Sequence, residues 1–298
     1  MSGKHIVGIG GAHVDWIAQM NAPHLPGAST PGQVQTYVGG CCLNSLRVLA
    51  QLGPEHVVTM ISARGGDAPG ERVQAAIEDA NLRDQSGIYL DRNSPTYTAI
   101  LDEKGDVISA VADMSLYEDV LPRHLRRLEV RETLKRADVL VIDANLPASA
   151  IDPIVHEFDG LTVGLAISAA KAERLKNSAA LFDITFMNRR EMGALGDLDQ
   201  LGFKTTIVTD ETNSVAVRDA GHTYTIPVPP IADTIDVTGA GDALAGATLA
   251  TLLQSNDRSL NEAVVIGVAA ARETIQTPGP VANLNRDTLF QKAANDGS

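Results

Sequence analysis

Short runs rich in Val, Ile and Leu recur from one end of the chain to the other, with helical periodicity between them. The runs are His5–Gly10, Val57–Ala63, Val139–Ala144, Thr162–Ile167, Ile184–Met187 and Thr205–Thr209. Helical patterns cover Asn44–Gln51, Gly70–Asn81, Pro122–Arg136, Ala148–Phe158, Arg189–Leu195 and Ala243–Leu253. Strands this apolar must be covered on both faces, which a mostly parallel sheet between helical layers provides. The alternation predicts an α/β fold. A chain of 298 residues suffices for one large core, so a single domain over 1–298 is expected.

Two segments break the rhythm. From Trp16 through Leu46 there is no Asp, Glu, Lys or Arg, while Pro23, Pro26, Gly27, Pro31 and Gly32 exclude a long helix. So apolar a stretch is expected to lie over something. Thr96–Leu101 and Val107–Ala112 alternate as two antiparallel strands around a turn at Glu103–Asp106. Together the segments, about 13–40 and 92–114, are expected to form a small β lid.

Composition narrows the partners. With 24 Lys+Arg against 37 Asp+Glu the formal charge is −13, and affinity for nucleic acid comes largely from cations displacing counterions. Aromatic residues make up 4%, too few for a visible stacking platform, so no nucleic-acid partner is expected. Cys41 and Cys42 are adjacent, which rules out a spaced metal cluster or a disulfide framework and suits a reducing cytoplasm. No signal-peptide pattern and no run of about 18 apolar residues is present, so a cytoplasmic protein without a membrane partner is expected.

The most informative motif is Asp236-Val237-Thr238-Gly239-Ala240-Gly241-Asp242, placed directly before the helical run from Ala243. Two glycines around an alanine leave the backbone bare, so successive N–H groups at a helix N-terminus can turn toward an anion. Asp242 in the first turn is placed to act as a base in phosphoryl transfer, although a glycine-rich loop with an acidic cap is the plainer alternative. Competing nucleotide motifs are absent. There is no Gly-x-x-x-x-Gly-Lys-Ser/Thr, and in Gly8-Ile9-Gly10-Gly11-Ala12-His13 the histidine stands where a dinucleotide fingerprint needs a small residue.

With that segment and Gly39-Gly40-Cys41-Cys42-Leu43-Asn44, the chain resembles the PfkB (ribokinase-like) family of carbohydrate and nucleoside kinases over nearly its whole length. Asn188-Arg189-Arg190-Glu191 is similar to the family's Asn-x-x-Glu motif, and Asp15 to its sugar-binding aspartate. The resemblance implies a ribokinase-like three-layer α/β/α domain with a small β lid. It implies Asp242 as general base, with backbone N–H groups of Gly239, Ala240 and Gly241 stabilising the transferring phosphoryl group. Asp15, Gly39, Gly40, Asn44 and Asn145 would contact the sugar, and Asn188, Thr209 and Lys171 would face ATP. Lys171 has a simpler reading as a solvated lysine. Glu191 and Asn188 would hold Mg²⁺ through its waters, and Asp236 with Thr238 a monovalent cation such as K⁺. Glu191 as an ordinary helix-terminal acid, and Asp236 as a loop brace, are the alternatives. Lid strands in the family often pair between subunits, so a homodimer through the lid is expected.

Within the family, Thr96–Leu101, Ala112–Met114, Asp143–Leu146 and Ile167–Lys171 resemble pseudouridine kinases. The expected reaction is ATP-dependent phosphorylation of a ribosyl primary hydroxyl, foremost that of pseudouridine. The alternatives are ribokinase or another sugar or nucleoside kinase, and a non-catalytic sugar-binding descendant. Two departures bear on specificity. Leu43 replaces the arginine usual in that branch, and Asp210–Ser214 replaces a glycine-containing ATP loop.

Overall fold

The computed structural model describes residues 3–210, 213–231, 233–254 and 258–296. In chain order its first strands are β1 (His5–Ile9), β2 (His13–Met20), β3 (Gly32–Gly39), β4 (Val57–Ile61) and β5 (Ala63–Gly65). Next come β6 (Arg83–Asp84), β7 (Gly87–Tyr89), β8 (Thr96–Leu101), β9 (Val107–Asp113) and β10 (Val139–Asp143). The last are β11 (Leu161–Leu165), β12 (Ile184–Asn188), β13 (Thr205–Asp210), β14 (Ser214–Asp219) and β15 (His222–Pro227). The helices are α1 (Cys41–Leu52), α2 (Ala68–Asp79), α3 (Ser115–Asp119), α4 (Leu121–His124), α5 (Leu128–Lys135) and α6 (Ala148–Glu157). They continue with α7 (Ala169–Ala172), α8 (Arg189–Leu195), α9 (Leu198–Leu201), α10 (Ala240–Gln254), α11 (Leu260–Thr274) and α12 (Arg286–Asp296).

Nine strands form the central sheet in the order β15-β14-β13-β12-β11-β10-β1-β4-β6, with every pairing parallel except β13–β14 and β14–β15 at one edge, where β14 alone is reversed. Alternation along each strand divides the core in two. Ile6 of β1 joins the cluster under α1, α10 and α11, whereas Val7 and Ile9 join the cluster under α3 to α9. The layers are α/β/α, as the apolar runs require. The chain leaves β1 toward β4 on one side and later returns to β10 on the other. The C-terminal ends of β1 and β10 therefore flank a topological switch point, where open α/β sheets leave a crevice for ligands.

A separate four-stranded sheet has the order β3-β2-β8-β9. The charge-free stretch supplies most of β2 and all of β3, an antiparallel pair with His13 opposite Gly39 and Asp15 opposite Tyr37. Strands β8 and β9 close on a turn in which Asp102 Oδ1 accepts from the N–H groups of Lys104 and Asp106 at 2.9 and 2.8 Å. Among the described residues, no helix is long and apolar enough to cross a membrane.

Two local expectations need correction. Pro122–Arg136 is not one helix but falls into α4 and α5, separated at Arg127, whose backbone is extended (φ −64°, ψ 143°). Tertiary contact explains the break, since buried His124 bonds the Gln85 carbonyl at 2.7 Å and pins α4 to another part of the chain. The sheet also runs past β13 into the hairpin β14–β15, which sequence periodicity missed. The Asp210–Ser214 loop falls partly on Glu211 and Thr212, which lie outside the described residues.

Candidate active site

Helix α1 begins directly over the switch point. Its N-cap is Gly40 at φ 107°, in a left-handed region that disfavours other residues, and a Cβ there would stand 2.2 Å from the Gly11 carbonyl oxygen. A glycine cap offers no side-chain acceptor for the first N–H groups. Asp143, at the end of β10 and fully buried, supplies one: Oδ2 accepts from Cys42 N–H at 3.3 Å and from Gly11 N–H at 2.8 Å. It also takes Asn145 N–H on Oδ1 and Asn145 Nδ2 on Oδ2, at 2.8 and 3.1 Å. Asp143 thus ties the turn after β1, the start of α1 and the end of β10 together. Burial raises its pKa, and these N–H bonds oppose the rise.

Asn44, one turn into α1, donates from Nδ2 to Asp242 Oδ2 at 2.8 Å across 198 residues of chain. The Cys41 thiol donates to Asp242 as well. Burial, with Asp143 and Glu191 adding negative charge nearby, lifts the Asp242 carboxyl to about 6. Ahead of it, Gly239 stands at φ 78°, and a Cβ there would meet the Pro280 carbonyl oxygen at 1.9 Å. Asp236 braces this loop, with Oδ1 accepting from Thr238 N–H at 2.9 Å and Oδ2 from Gly279 N–H at 3.3 Å. Asp236 and exposed Thr238 are thus one unit.

On the other side of Asp242, Asn188 and Glu191 form a reciprocal cap on α8. Asn188 N–H and Nδ2 donate to the two oxygens of Glu191 at 2.8 and 2.7 Å, and Glu191 N–H donates to Asn188 Oδ1 at 2.9 Å. Burial raises the Glu191 carboxyl. Asn188, Glu191, Thr209, Gly241 and Asp242 line one cavity of about 170 Å³. Its wall includes Ile167, a β-branched residue at φ 70°, where backbone strain is concentrated beside the site.

Lys171 sits apart from that cavity, donating to Asn145 Oδ1 at 2.6 Å and so joining the group around Asp143. Asp15 lies on β2 with His13 beside it, 3.4 Å between Oδ1 and Nε2. Burial and the charge of Asp242 push Asp15 up to about 7. Asp143, His13 and Cys41 were not singled out as site residues from sequence. The only local signal for Asp143 was an acid at the end of an otherwise apolar run.

The acids Asp242 and Glu191 beside one cavity would repel a triphosphate unless a cation lay between. Among the described residues, no group of three or more His, Cys, Asp or Glu side chains is placed to hold a metal by itself. One or two carboxylates beside a space for phosphates and water is a donor set that fits Mg²⁺, which keeps several of its waters.

Comparison with known proteins places the fold and the family. The chain is 25% identical to the pseudouridine kinase of Escherichia coli over 263 residues, 80% of this chain and 81% of that one. A carbohydrate kinase from Agrobacterium tumefaciens superposes with a TM-score of 0.85 at 35% identity, covering 98% of this chain and 97% of that one. A ribokinase from Thermotoga maritima shares the fold at 17% identity, with a TM-score of 0.83 and coverage of 98% and 99%. Residues 4–287 match the family described as pfkB family carbohydrate kinase, and the chain belongs to that family.

Proposed function

We propose that this kinase transfers the γ-phosphoryl group of ATP to the primary hydroxyl of a ribosyl compound, with pseudouridine as the acceptor and pseudouridine 5′-phosphate as the product. The observation that carries the reading is the 2.8 Å bond from Asn44 to Asp242, which brings the acceptor-side and phosphoryl-side segments to one point. The base abstracts the hydroxyl proton, and a carboxyl at about 6 is ionised at neutral pH yet more basic than an exposed aspartate. The first N–H groups of a helix have no partner within it, so those of Gly239 and Gly241 are available to the charge on the moving phosphoryl group, and that of Ala240 joins them by releasing its long 3.4 Å bond to the Val237 carbonyl.

Asp15, Gly39, Gly40, Asn44 and Asn145 orient the acceptor, and Thr209 and Asn188 face ATP, with Lys171 reaching it from the Asn145 side. Glu191 and Asn188 hold Mg²⁺ through its waters; when bound, the ion neutralises the triphosphate. Asp236 and Thr238 offer oxygens to K⁺ while bracing the loop. The reaction is placed in the cytoplasm, where ATP is available and both thiols stay reduced.

Pseudouridine is supported by the Escherichia coli relative and by the four segments shared with that branch. One observation favours a second reading, a different ribosyl acceptor such as ribose. Leu43 is fully buried in the core, so no charged side chain from that position reaches the acceptor. A panel of ribose, adenosine, uridine, pseudouridine and fructose 6-phosphate, each with ATP and Mg²⁺, decides between them. The largest kcat/KM is expected with pseudouridine. A ribose maximum would establish the second reading, and no turnover with any ribosyl compound would sink both.

The β2–β3–β8–β9 sheet acts in this scheme as a lid that closes over the sugar and excludes water. Its pairing register puts Asp15, Tyr37 and Tyr97 on one face and Val34, Ala18, Ile100 and Val111 on the other. Val34 and Val111 are each 66% exposed, an apolar surface suited to a second copy of the chain. The native protein is expected to sediment at twice its 31.4 kDa, and Ile100→Lys with Val111→Lys as a monomer. A native monomer would remove this assignment.

A further inference from the structure

His13 has no role in the scheme above, yet it is buried beside the carboxyl assigned to the sugar. It precedes Asp15 by two residues and shares its face of β2, with Nε2 3.4 Å from Asp15 Oδ1. Its Nδ1 lies 3.3 Å from the hydroxyl of Tyr117, which is fully buried on α3. That hydroxyl accepts from Ala12 N–H at 2.8 Å and donates to the fully buried Ala12 carbonyl at 2.9 Å. Ser62, its other neighbour, gives its own proton to the Gly10 carbonyl at 2.7 Å. A phenol has one proton to donate. Whether the Ala12 carbonyl or Ser62 Oγ takes it, toward His13 the Tyr117 oxygen is an acceptor.

The ring hydrogen of neutral His13 therefore belongs on Nδ1, and Nε2 presents a lone pair to Asp15. The atom it faces, Asp15 Oδ1, is buried without a hydrogen-bond partner. Two lone pairs at that separation repel; a proton on Oδ1 converts the repulsion into an O–H···N bond that tightens by a few tenths of an ångström when the site fills. The charged and titratable groups around the pair are Tyr117 from α3, Asp143 from β10, Lys171 from α7 and Asp242 from α10. Burial and Lys171 hold His13 down at about 4, while burial and Asp242 push Asp15 up to about 7, so the proton resides on the carboxyl. Asp15 Oδ2 lies against Gly39, where a Cβ would stand 2.1 Å away, and remains an open acceptor.

We propose that His13 is a positioning residue for acceptor binding: Tyr117 holds it as the Nδ1–H tautomer, its Nε2 accepts a hydrogen bond from the protonated Oδ1 of Asp15, and Asp15 Oδ2 is thereby fixed as the acceptor for a sugar hydroxyl. The placement of Asp15 at the sugar rests on the proposed function; the tautomer does not. Long-range ¹⁵N–¹H correlation of ¹⁵N-histidine-labelled, unliganded protein reads the tautomer, with His13 assigned by the signal lost in His13→Asn. Nδ1–H is expected, and Nε2–H overturns the proposal whatever the substrate.

Calorimetric titration of the ribosyl acceptor against pH tests the consequence. His13→Ala and Tyr117→Phe each remove support for the neutral carboxyl, so the pH at which acceptor binding changes is expected to fall by about one unit. Acceptor KM is expected to rise about tenfold, as for one lost buried hydrogen bond, with kcat held within about threefold. His13→Gln, whose Oε1 can accept in place of Nε2, is expected to recover most of the KM. An upward move in His13→Ala would mean that the ring donates to an ionised Asp15, and overturns the proposal. Absence of acceptor binding by the native protein, with the Nδ1–H signal intact, would remove the sugar assignment instead.

Discussion

Asparagine in place of Asp242 is expected to lower kcat by about 10³-fold, within the range set by loss of a positioned general base, while ATP affinity stays within about threefold. The substitution keeps the shape of the side chain and an oxygen to accept from Asn44 Nδ2, so the bond between α1 and α10 survives. What disappears is the capacity to take a proton. The pH dependence provides a second reading of the same group. Burial favours the uncharged acid, so Asp242 takes up its proton near 6, at higher pH than an exposed aspartate. Native kcat is expected to fall about tenfold per unit below that pH, and the residual activity of the variant to lack that limb. Turnover at the native rate in Asp242→Asn would place the base elsewhere.

Gly239→Ala is expected to lower kcat by about 10²-fold through the backbone rather than through any reacting side chain. At φ 78° an L-residue pays about 1–2 kcal/mol, and the added methyl would stand 1.9 Å from the Pro280 carbonyl oxygen, so the loop must move. The N–H groups proposed to stabilise the phosphoryl group move with it. Gly241→Ala is the control: a Cβ there meets nothing within 4 Å, so its melting temperature is expected to match the native protein. Steady-state kinetics and thermal unfolding of the pair separate the two effects. Equal activity in Gly239→Ala and the native enzyme would show that the loop does not need this conformation.

The central strands were legible because burial on both faces requires a continuous apolar run, and Val139–Asp143, buried throughout, carries one. The hairpin β14–β15 was not, since an edge strand such as His222–Pro227 is mostly exposed and leaves no such run. Helical periodicity over Pro122–Arg136 was real but gave no sign of the break, which depends on His124 reaching the Gln85 carbonyl. Asn44, Glu191 and Asp242 were legible through motifs, because a bare backbone and a cap are built from adjacent residues. Asp143 was not, because its partners Gly11 and Cys42 come from segments far away in the chain.

By itself the sequence determined an α/β sheet, the glycine-rich loop at the start of α10 and the family to which both belong, since each depends on residues a few positions apart. Only the tertiary structure decided which groups share a dielectric environment. Asn44 meets Asp242, Asp242 and Asp15 rise to about 6 and about 7, and Tyr117 turns the lone pair of His13 toward Asp15. Burial and charge proximity act through space, and a folded chain brings together residues that no local pattern connects.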